Sequence, residues 1–416
     1  MIKYYILFLP FTHAFAISGI LPLPLIVLIS IFLISILTLN NNIKIYFDAE
    51  DLFLFLFLFL VLVSFIFSFY FNQHIEYKTV INHLLSYIIT IVLMYFFLKT
   101  YILSYAKKNT FKTILKYITI SVFISSLIGI FEFIDKNFLH YGIDEFIYRP
   151  TVKDMPALFN LFYRMRSFTE EPGHFGLFLE IFSPLSLYYI FNSNIKVIYA
   201  VIFSFTVLIS LIFTFSTASF VIIPISIFIT LAYFLYKNNV VIKQLYFYKR
   251  IIYILFSLIL FFILLDYIGF ISFLDLVETA VKKITNSSSS SDRLERASET
   301  LNVFYNSNII QLLFGFGPAG NLSYNLNSVV SLYVTILFEV GILGIILFIL
   351  FLLVVFKKII SIKSNIKYFF MISFISATLH YSIISNYWFP WLWFLIVLIA
   401  YVKRYERIHN FIDRNN

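Results

Sequence analysis

The stretch "LFLFLFLFL", residues 52–60, decides the fold class. Its Leu/Phe alternation has the two-residue period of a strand, yet every position is apolar, so neither face is left for water. The apolar run extends over residues 51–71, about the 20 residues that a helix needs to cross a bilayer's hydrocarbon. An open sheet would leave edge N–H and C=O groups unsatisfied in lipid, whereas a helix bonds them internally. The segment is therefore predicted to be a membrane-spanning helix.

The whole chain repeats this character. Of its 416 residues, 61% are hydrophobic and 12% charged, with a mean hydropathy of +0.94, against about 25% charged in an average soluble domain. Twelve spans are predicted, near 4–20, 22–39, 51–71, 81–103, 114–134, 176–191, 197–213, 219–236, 251–270, 329–355, 368–386 and 387–402. The fold class is an all-α polytopic integral membrane protein with two large outer loops containing short helices. "AFA" at 14–16 has the form of a signal-peptidase site, but the apolar run continues past it into the membrane, so retention is expected.

A net charge of +9 is read as membrane sidedness, not as affinity for nucleic acid. With a cytosolic N-terminus, twelve spans put Lys3, Lys44, Lys107, Lys108, Lys237, Lys249, Arg250, Lys357, Lys358, Lys363, Lys403 and Arg404 inside, which is the positive-inside pattern. The predicted layout is spans over 1–135, an outer loop over 136–175, spans over 176–270, a second outer loop over 271–328, spans over 329–402 and a tail over 403–416 with both termini cytoplasmic. The absence of cysteine excludes disulfides, thiolate metal sites and a cysteine nucleophile.

The outer loops hold cations where the trend predicts few, clustered around Arg149 to Arg166 and Lys282 to Arg296. "RMRSFTEEPGHFG", 164–176, brings Arg164 and Arg166 next to Glu170, Glu171 and His174. Pro172 suits the first turn of the following helix, and the carboxylates would sit at its positive end. Arginine offers a planar donor fork to phosphate, and a neighbouring carboxylate can act as a general base on a hydroxyl. Glu171 is the first candidate base, with Glu170 and His174 as alternates. In the second loop, "NSSSSSD" at 286–292 reads as a flexible polar stretch, and Arg293 and Arg296 of "SDRLERASE" share a helix face. "LLFGFGPAGN", 312–321, is a glycine-rich turn, and "FEVGILG", 338–344, puts Glu339 within a span. Most of the 54 Phe and 30 Tyr are read as packing and lipid-facing bulk, with Tyr387, Trp388, Trp391 and Trp393 as an interfacial belt. Tyr141, Tyr148 and Tyr163 are the candidates for glycan contact. His13, His83, Glu132, Glu180, Asp266 and His380, in or at the ends of spans, should face protein or water.

Three of these pieces together resemble the bacterial O-antigen polymerase and ligase superfamily of polytopic C-type glycosyltransferases. The first is Arg164, Ser167, Phe168, Glu171 and Pro172; the second is Arg293 followed by Leu313, Phe314, Gly315, Gly317 and Pro318; the third is Glu339, Gly341 and Gly344. The resemblance implies a multi-pass protein of the bacterial inner membrane with periplasmic outer loops. It implies a donor glycan on undecaprenyl diphosphate, transferred without metal or cofactor. By matched position, Arg164 and Arg293 would contact the diphosphate, with Arg166 and Arg296 beside them. Implied partners are the undecaprenyl-diphosphate-linked oligosaccharide and the lipid bilayer, with a chain-length regulator and a flippase as further candidates. The stretch 271–328 contains no histidine, a departure that favours polymerase over ligase. A flippase would need charges in a central cavity between two helix bundles, whereas these arginines lie in loops.

Overall fold

The computed structural model describes residues 1–17, 21–38, 43–71, 77–105, 108–150, 157–158, 162–193, 195–238, 288–327 and 329–412. Its elements are α1 (Ile2–Leu7), α2 (Leu23–Leu37), α3 (Ala49–Phe71), α4 (Tyr77–Ser104), α5 (Lys108–Ile134), α6 (Ile143–Phe146), β1 (Ala157–Leu158), β2 (Phe162–Tyr163), α7 (Pro172–Phe191), α8 (Val197–Phe213), α9 (Thr217–Asn238), α10 (Ser288–Tyr305), α11 (Ile309–Phe314), α12 (Leu332–Ile360), α13 (Ile366–His380) and α14 (Pro390–Ile412). Among the described residues, strand pairing is limited to the antiparallel β1–β2 and one isolated bridge. The protein is an all-α membrane protein.

Among the described residues six helices, α3, α4, α5, α7, α9 and α12, are long and apolar enough to cross a membrane; α2, α8 and α13 are shorter apolar helices. Twelve spans therefore do not emerge as drawn. Residues 4–20 are not one helix: α1 ends at Leu7 and the chain turns through residues 8–17. Pro10 lacks an N–H and disfavours helix at the residue before it. The segment 251–270, with Asp266, lies outside the described residues. The serine run read as flexible enters α10, which begins at Ser288. The last helix starts at Pro390 and continues to Ile412, through most of the expected tail.

The chain divides into two compact units, one of Met1–Tyr5, Pro24–Thr113 and Ser289–Asn416, the other of Ile6–Leu23 and Ile114–Ser288. In the first, α12 packs along α3, and α14 packs on the middle of α4, where Ile89–Phe97 form a π-helix. From Trp391 to Val402 every residue of α14 is buried, as expected of a helix apolar all round. Tyr387, Trp391 and Trp393 are thus core side chains, not an interfacial belt. The indole N–H of Trp393 donates to the Tyr387 carbonyl at 2.6 Å, and the Tyr387 ring stacks on Tyr87 with centroids 4.3 Å apart.

One end of this unit is tied by charge. Lys99 of α4 is fully buried, with its Nζ 2.6 Å from Asp51, 3.0 Å from Asp48 and 3.3 Å from Glu50. Lys358 of α12 completes the cluster by bonding Asp48 at 2.9 Å and Glu50. Burial pushes the Asp48 carboxyl up, but Lys99 and Lys358 outweigh it and hold the group well below the usual carboxylate range. Because the folded value is depressed, this pairing stabilises at neutral pH and is lost as pH falls through that value. Replacing Lys99 with alanine would strand buried carboxylates, a change that typically costs about 3–5 kcal/mol. Heating of the detergent-solubilised Lys99→Ala protein should therefore show a clear loss of thermal stability, and an unchanged melting curve would contradict the assignment.

In the second unit α7 packs against α8 and α9. Gly176 of α7 permits the approach of α9, since a Cβ there would lie 2.3 Å from the Ser219 hydroxyl. Phe133 of α5 stacks on Phe213 of α8 at 4.0 Å. The N-terminal turn belongs to this unit. Ala14 N–H donates to the Phe168 carbonyl at 3.0 Å, Phe15 N–H donates to the Tyr148 carbonyl at 2.8 Å, and Phe11 stacks on Phe168 at 3.8 Å. What the sequence offered as a first span is a brace for the loop that carries the arginines.

Candidate functional site

The stretch 164–176 is held from below by a buried ionic cluster in the second unit. Glu132 of α5 and Asp144 of α6 face Arg149 and Arg166, and all four are buried. Arg149 binds Glu132 at 2.5 Å and also Asp144, while Arg166 lies 3.5 Å from Asp144 and 4.0 Å from Glu132. Two cations against two carboxylates leave the cluster formally neutral, the condition under which charges survive burial. Burial pushes Asp144 up, yet its hydrogen bond with Glu132 and the charges of Arg149 and Arg166 hold it below its usual range.

The cluster fixes one strained residue, Ser167, whose φ of 52° is left-handed. Such a conformation in a non-glycine residue costs on the order of 1–3 kcal/mol and persists only where its surroundings over-determine it. Here the Ser167 N–H donates to Glu132 at 2.8 Å, its carbonyl accepts from Arg149 at 2.5 Å and its hydroxyl donates to the Ser125 carbonyl at 2.8 Å. The reversal at Ser167 leads into α7. Glu171 is the residue before the helix and has extended backbone, with Pro172 in the first turn as the sequence predicts. The Glu171 carboxylate makes no capping bond and is exposed. Glu170 is half-buried; burial and then the neighbouring Glu171 charge raise its carboxyl above the ordinary value, against the pull of Arg166. His174 is buried in the first turn of α7.

The cations of this loop have separate surroundings. Arg164 is half-buried and donates through Nε to the Thr214 carbonyl at 3.1 Å and through Nη2 to the Phe215 carbonyl at 3.4 Å. Arg166 belongs to the buried cluster. Tyr141, Tyr148 and Tyr163 are all exposed, with Lys136 lying 5.3 Å from the Tyr163 ring centre. The sequence marked Arg149 only as a cation on the cation-poor side, and it did not mark Asp144. That misplaced cation was the signal available.

The second constellation lies in the first unit and joins the two glycine motifs. At Gly341 the backbone of α12 breaks, with φ 76° and ψ −174°, so carbonyls one turn earlier lose their helical donors. The glycine-rich turn supplies replacements: Phe316 N–H donates to the Phe338 carbonyl at 2.8 Å and Gly317 N–H to the Glu339 carbonyl at 3.0 Å. The Ser64 hydroxyl adds a second bond to Glu339 O at 2.5 Å. The backbones touch, because a Cβ on Gly315 would lie 2.4 Å from the Glu339 carbonyl oxygen, and one on Gly341 would lie 2.3 Å from that of Leu313. Gly317, at φ 89°, fits against Ser68 of α3 in the same way.

The Glu339 side chain completes this joint. Its Oε1 accepts the Ala319 N–H at 2.9 Å and lies 3.2 Å from His83 Nδ1; its Oε2 accepts the Tyr87 hydroxyl at 2.6 Å. His83 and Tyr87 are four residues apart on α4, hence on one face. Glu339, His83 and Tyr387 line a cavity of about 150 Å³ together with Thr79, Asn321 and Thr335. Phe304 of α10 packs with Phe316 and Phe338, which ties the helix carrying Arg293 to the glycine turn. Arg293 is half-buried near the start of α10. Arg296 pairs with Asp292 one turn away at 2.9 Å, the ordinary arrangement of a solvated helix surface.

The predicted site residues therefore fall into two sets. Arg164, Arg166, Glu170, Glu171, Pro172, His174 and the three tyrosines belong to the second unit; Arg293, Arg296, Gly315, Gly317, Glu339 and Gly341 belong to the first. Each set has its own buried polar anchor, the Glu132–Arg149 cluster in the second unit and the Glu339 joint in the first. No protein-family model matches this chain, and a search of the curated proteins finds no match.

Proposed function

We propose that this protein is a repeat-unit polymerase of bacterial surface polysaccharide. It transfers a growing glycan from undecaprenyl diphosphate to the sugar of the next lipid-linked repeat unit. The observation that carries this reading is the joint at Glu339. Two of the three sequence pieces on which the resemblance rests, the Gly315–Pro318 turn and the Glu339-x-Gly341 break, are the two halves of one hydrogen-bonded structure. The third piece, Arg164 to Pro172, has its own dedicated support in the Ser167 reversal.

In this reading Arg164 and Arg293 stabilise charge on the departing diphosphate, the work of preorganised cations at developing charge. Glu171, Glu170 and His174 are the loop candidates for the acceptor's base. The protein sits in the inner membrane with both termini cytoplasmic. The first unit supports that orientation. Lys44, Lys358, Lys363 and Lys403 gather at the helix ends joined by the Ser104, Asp48, Glu406 and Ser361 contacts. Glu339 lies at the opposite end of α12, as the positive-inside trend requires of an outward-facing site.

A deletion strain tests the proposal on a polysaccharide gel. Surface glycan carrying a single repeat unit is the expected result. Loss of all surface glycan would point to a ligase, accumulation of lipid-linked repeat at the cytosolic face to a flippase, and an unchanged ladder would sink all three.

A further inference from the structure

The cavity beside Glu339 is built for a neutral polar group. Its 150 Å³ exceeds several times the ~30 Å³ share of one water, which suffices for a hydroxyl and the carbon that bears it. Among the described residues no lysine or arginine lines it, which favours an uncharged guest over the diphosphate. His83 has a side chain 30% exposed, while Glu339 is 2% exposed; the imidazole forms the reachable wall and the carboxylate the floor. The three bonds made by the Glu339 carbonyl and carboxylate to the glycine turn and α3 hold that floor in place.

His83 Nδ1 lies within ion-pair reach of Glu339 Oε1, at 3.2 Å, the approach an oriented base needs. A carboxylate against one imidazole nitrogen fixes the tautomer, leaves the other nitrogen to accept a proton and stabilises the imidazolium that results. The Tyr87 hydroxyl on Oε2 keeps the carboxylate directed, and Tyr87 is itself stacked on Tyr387. A purely structural link between α4 and α12 is already made by the Tyr87 bond. An ionisable side chain that also faces a cavity within a membrane helix calls for a functional explanation.

We infer that the cavity receives the acceptor sugar hydroxyl, that His83 is the general base for the transfer, and that Glu339 is its positioning residue. The inference rests on the polymerase reading and takes the place of the loop candidates for the base. Nε2 of His83 takes the hydroxyl proton as the acceptor oxygen bonds to the anomeric carbon of the growing chain. The bond from that carbon to the diphosphate oxygen breaks, and its electron pair leaves with the diphosphate. The imidazolium stays beside Glu339 until it loses the proton to water.

The test uses the purified full chain and polyprenyl-diphosphate-linked repeat units extracted from the deletion strain. His83→Gln should lower turnover by about 10²- to 10⁴-fold, the usual contribution of a general base, with no change in melting temperature. His83→Ala should recover part of its rate on addition of imidazole, a response that a merely structural histidine does not give. A His83→Gln protein that extends chains at the native rate, or a His83→Ala protein that imidazole leaves unrestored, would overturn the assignment. Loss of rate in Glu170→Gln or Glu171→Gln with His83→Gln unimpaired would return the base to the loop. If the native protein itself forms no polymer from these units, the polymerase reading falls first and the base assignment with it.

Discussion

Substituting alanine for Gly341 should unfold or strongly destabilise the protein, and Gly315→Ala should do the same. Both residues have φ near +80° with ψ close to 180°, a region that is essentially confined to glycine and costs a side-chain residue about 1–3 kcal/mol. Space adds to the penalty, since each new Cβ would lie 2.3–2.4 Å from a backbone oxygen of the opposite segment. Neither backbone can yield without breaking the bonds from Phe316 and Gly317 to α12, and overpacking of this kind typically costs a further 1–3 kcal/mol, roughly. The combined expectation of about 2–6 kcal/mol is comparable to the whole stability of many domains. Gly173→Ala is the matched control. It lies in the first turn of α7 with nothing within 4 Å of the new Cβ, so it should be neutral or stabilise by up to about 1 kcal/mol. Thermal melts of the three proteins in one detergent decide the matter, and a Gly341→Ala protein that melts like the control would refute the joint.

Loss of chain extension in Arg164→Ala and in Arg293→Ala, with normal protein levels, is the second large effect expected. Removing one preorganised donor from a developing negative charge typically costs about 10²–10³-fold in rate, enough to erase a ladder on a gel. Arg164 also holds the Thr214 and Phe215 carbonyls, so its alanine variant combines two losses. Arg164→Lys separates them, because it keeps the charge but not the planar fork. An intermediate ladder from lysine and none from alanine is the expected pattern. Full ladders in both alanine variants would remove these arginines from the reaction.

The membrane character was legible in "LFLFLFLFL" because composition alone excludes a strand there, and α3 spans the predicted residues. Pro172 at the start of α7 was legible for the same reason, since it rests on local backbone rules. The 4–20 span failed because a hydropathy window counts apolar residues and ignores Pro10, while the partners of Ala14 and Phe15 lie more than 130 residues away. The glycine motifs were visible as separate patterns. Their union at Glu339 was not, because His83 and Tyr87 come from a helix about 250 residues earlier. Arg149 announced itself only as a misplaced charge; the pairing with Glu132 that explains it depends on how α5 and the loop meet.

The two charged anchors of α12 act together as a ruler. Glu339 is held by α4 and the glycine turn, and Lys358 is held by Asp48 and Glu50 at the start of α3. They are 358 − 339 = 19 residues apart, of which 358 − 341 = 17 follow the break at Gly341; at 1.5 Å per residue that unbroken stretch alone is roughly 26 Å, close to the ~30 Å of hydrocarbon in a typical bilayer. A helix clamped at both ends by buried charge cannot slide or shorten its greasy span to follow its surroundings. Thickness mismatch must then be met by tilt of the whole first unit or by deformation of the lipid around it.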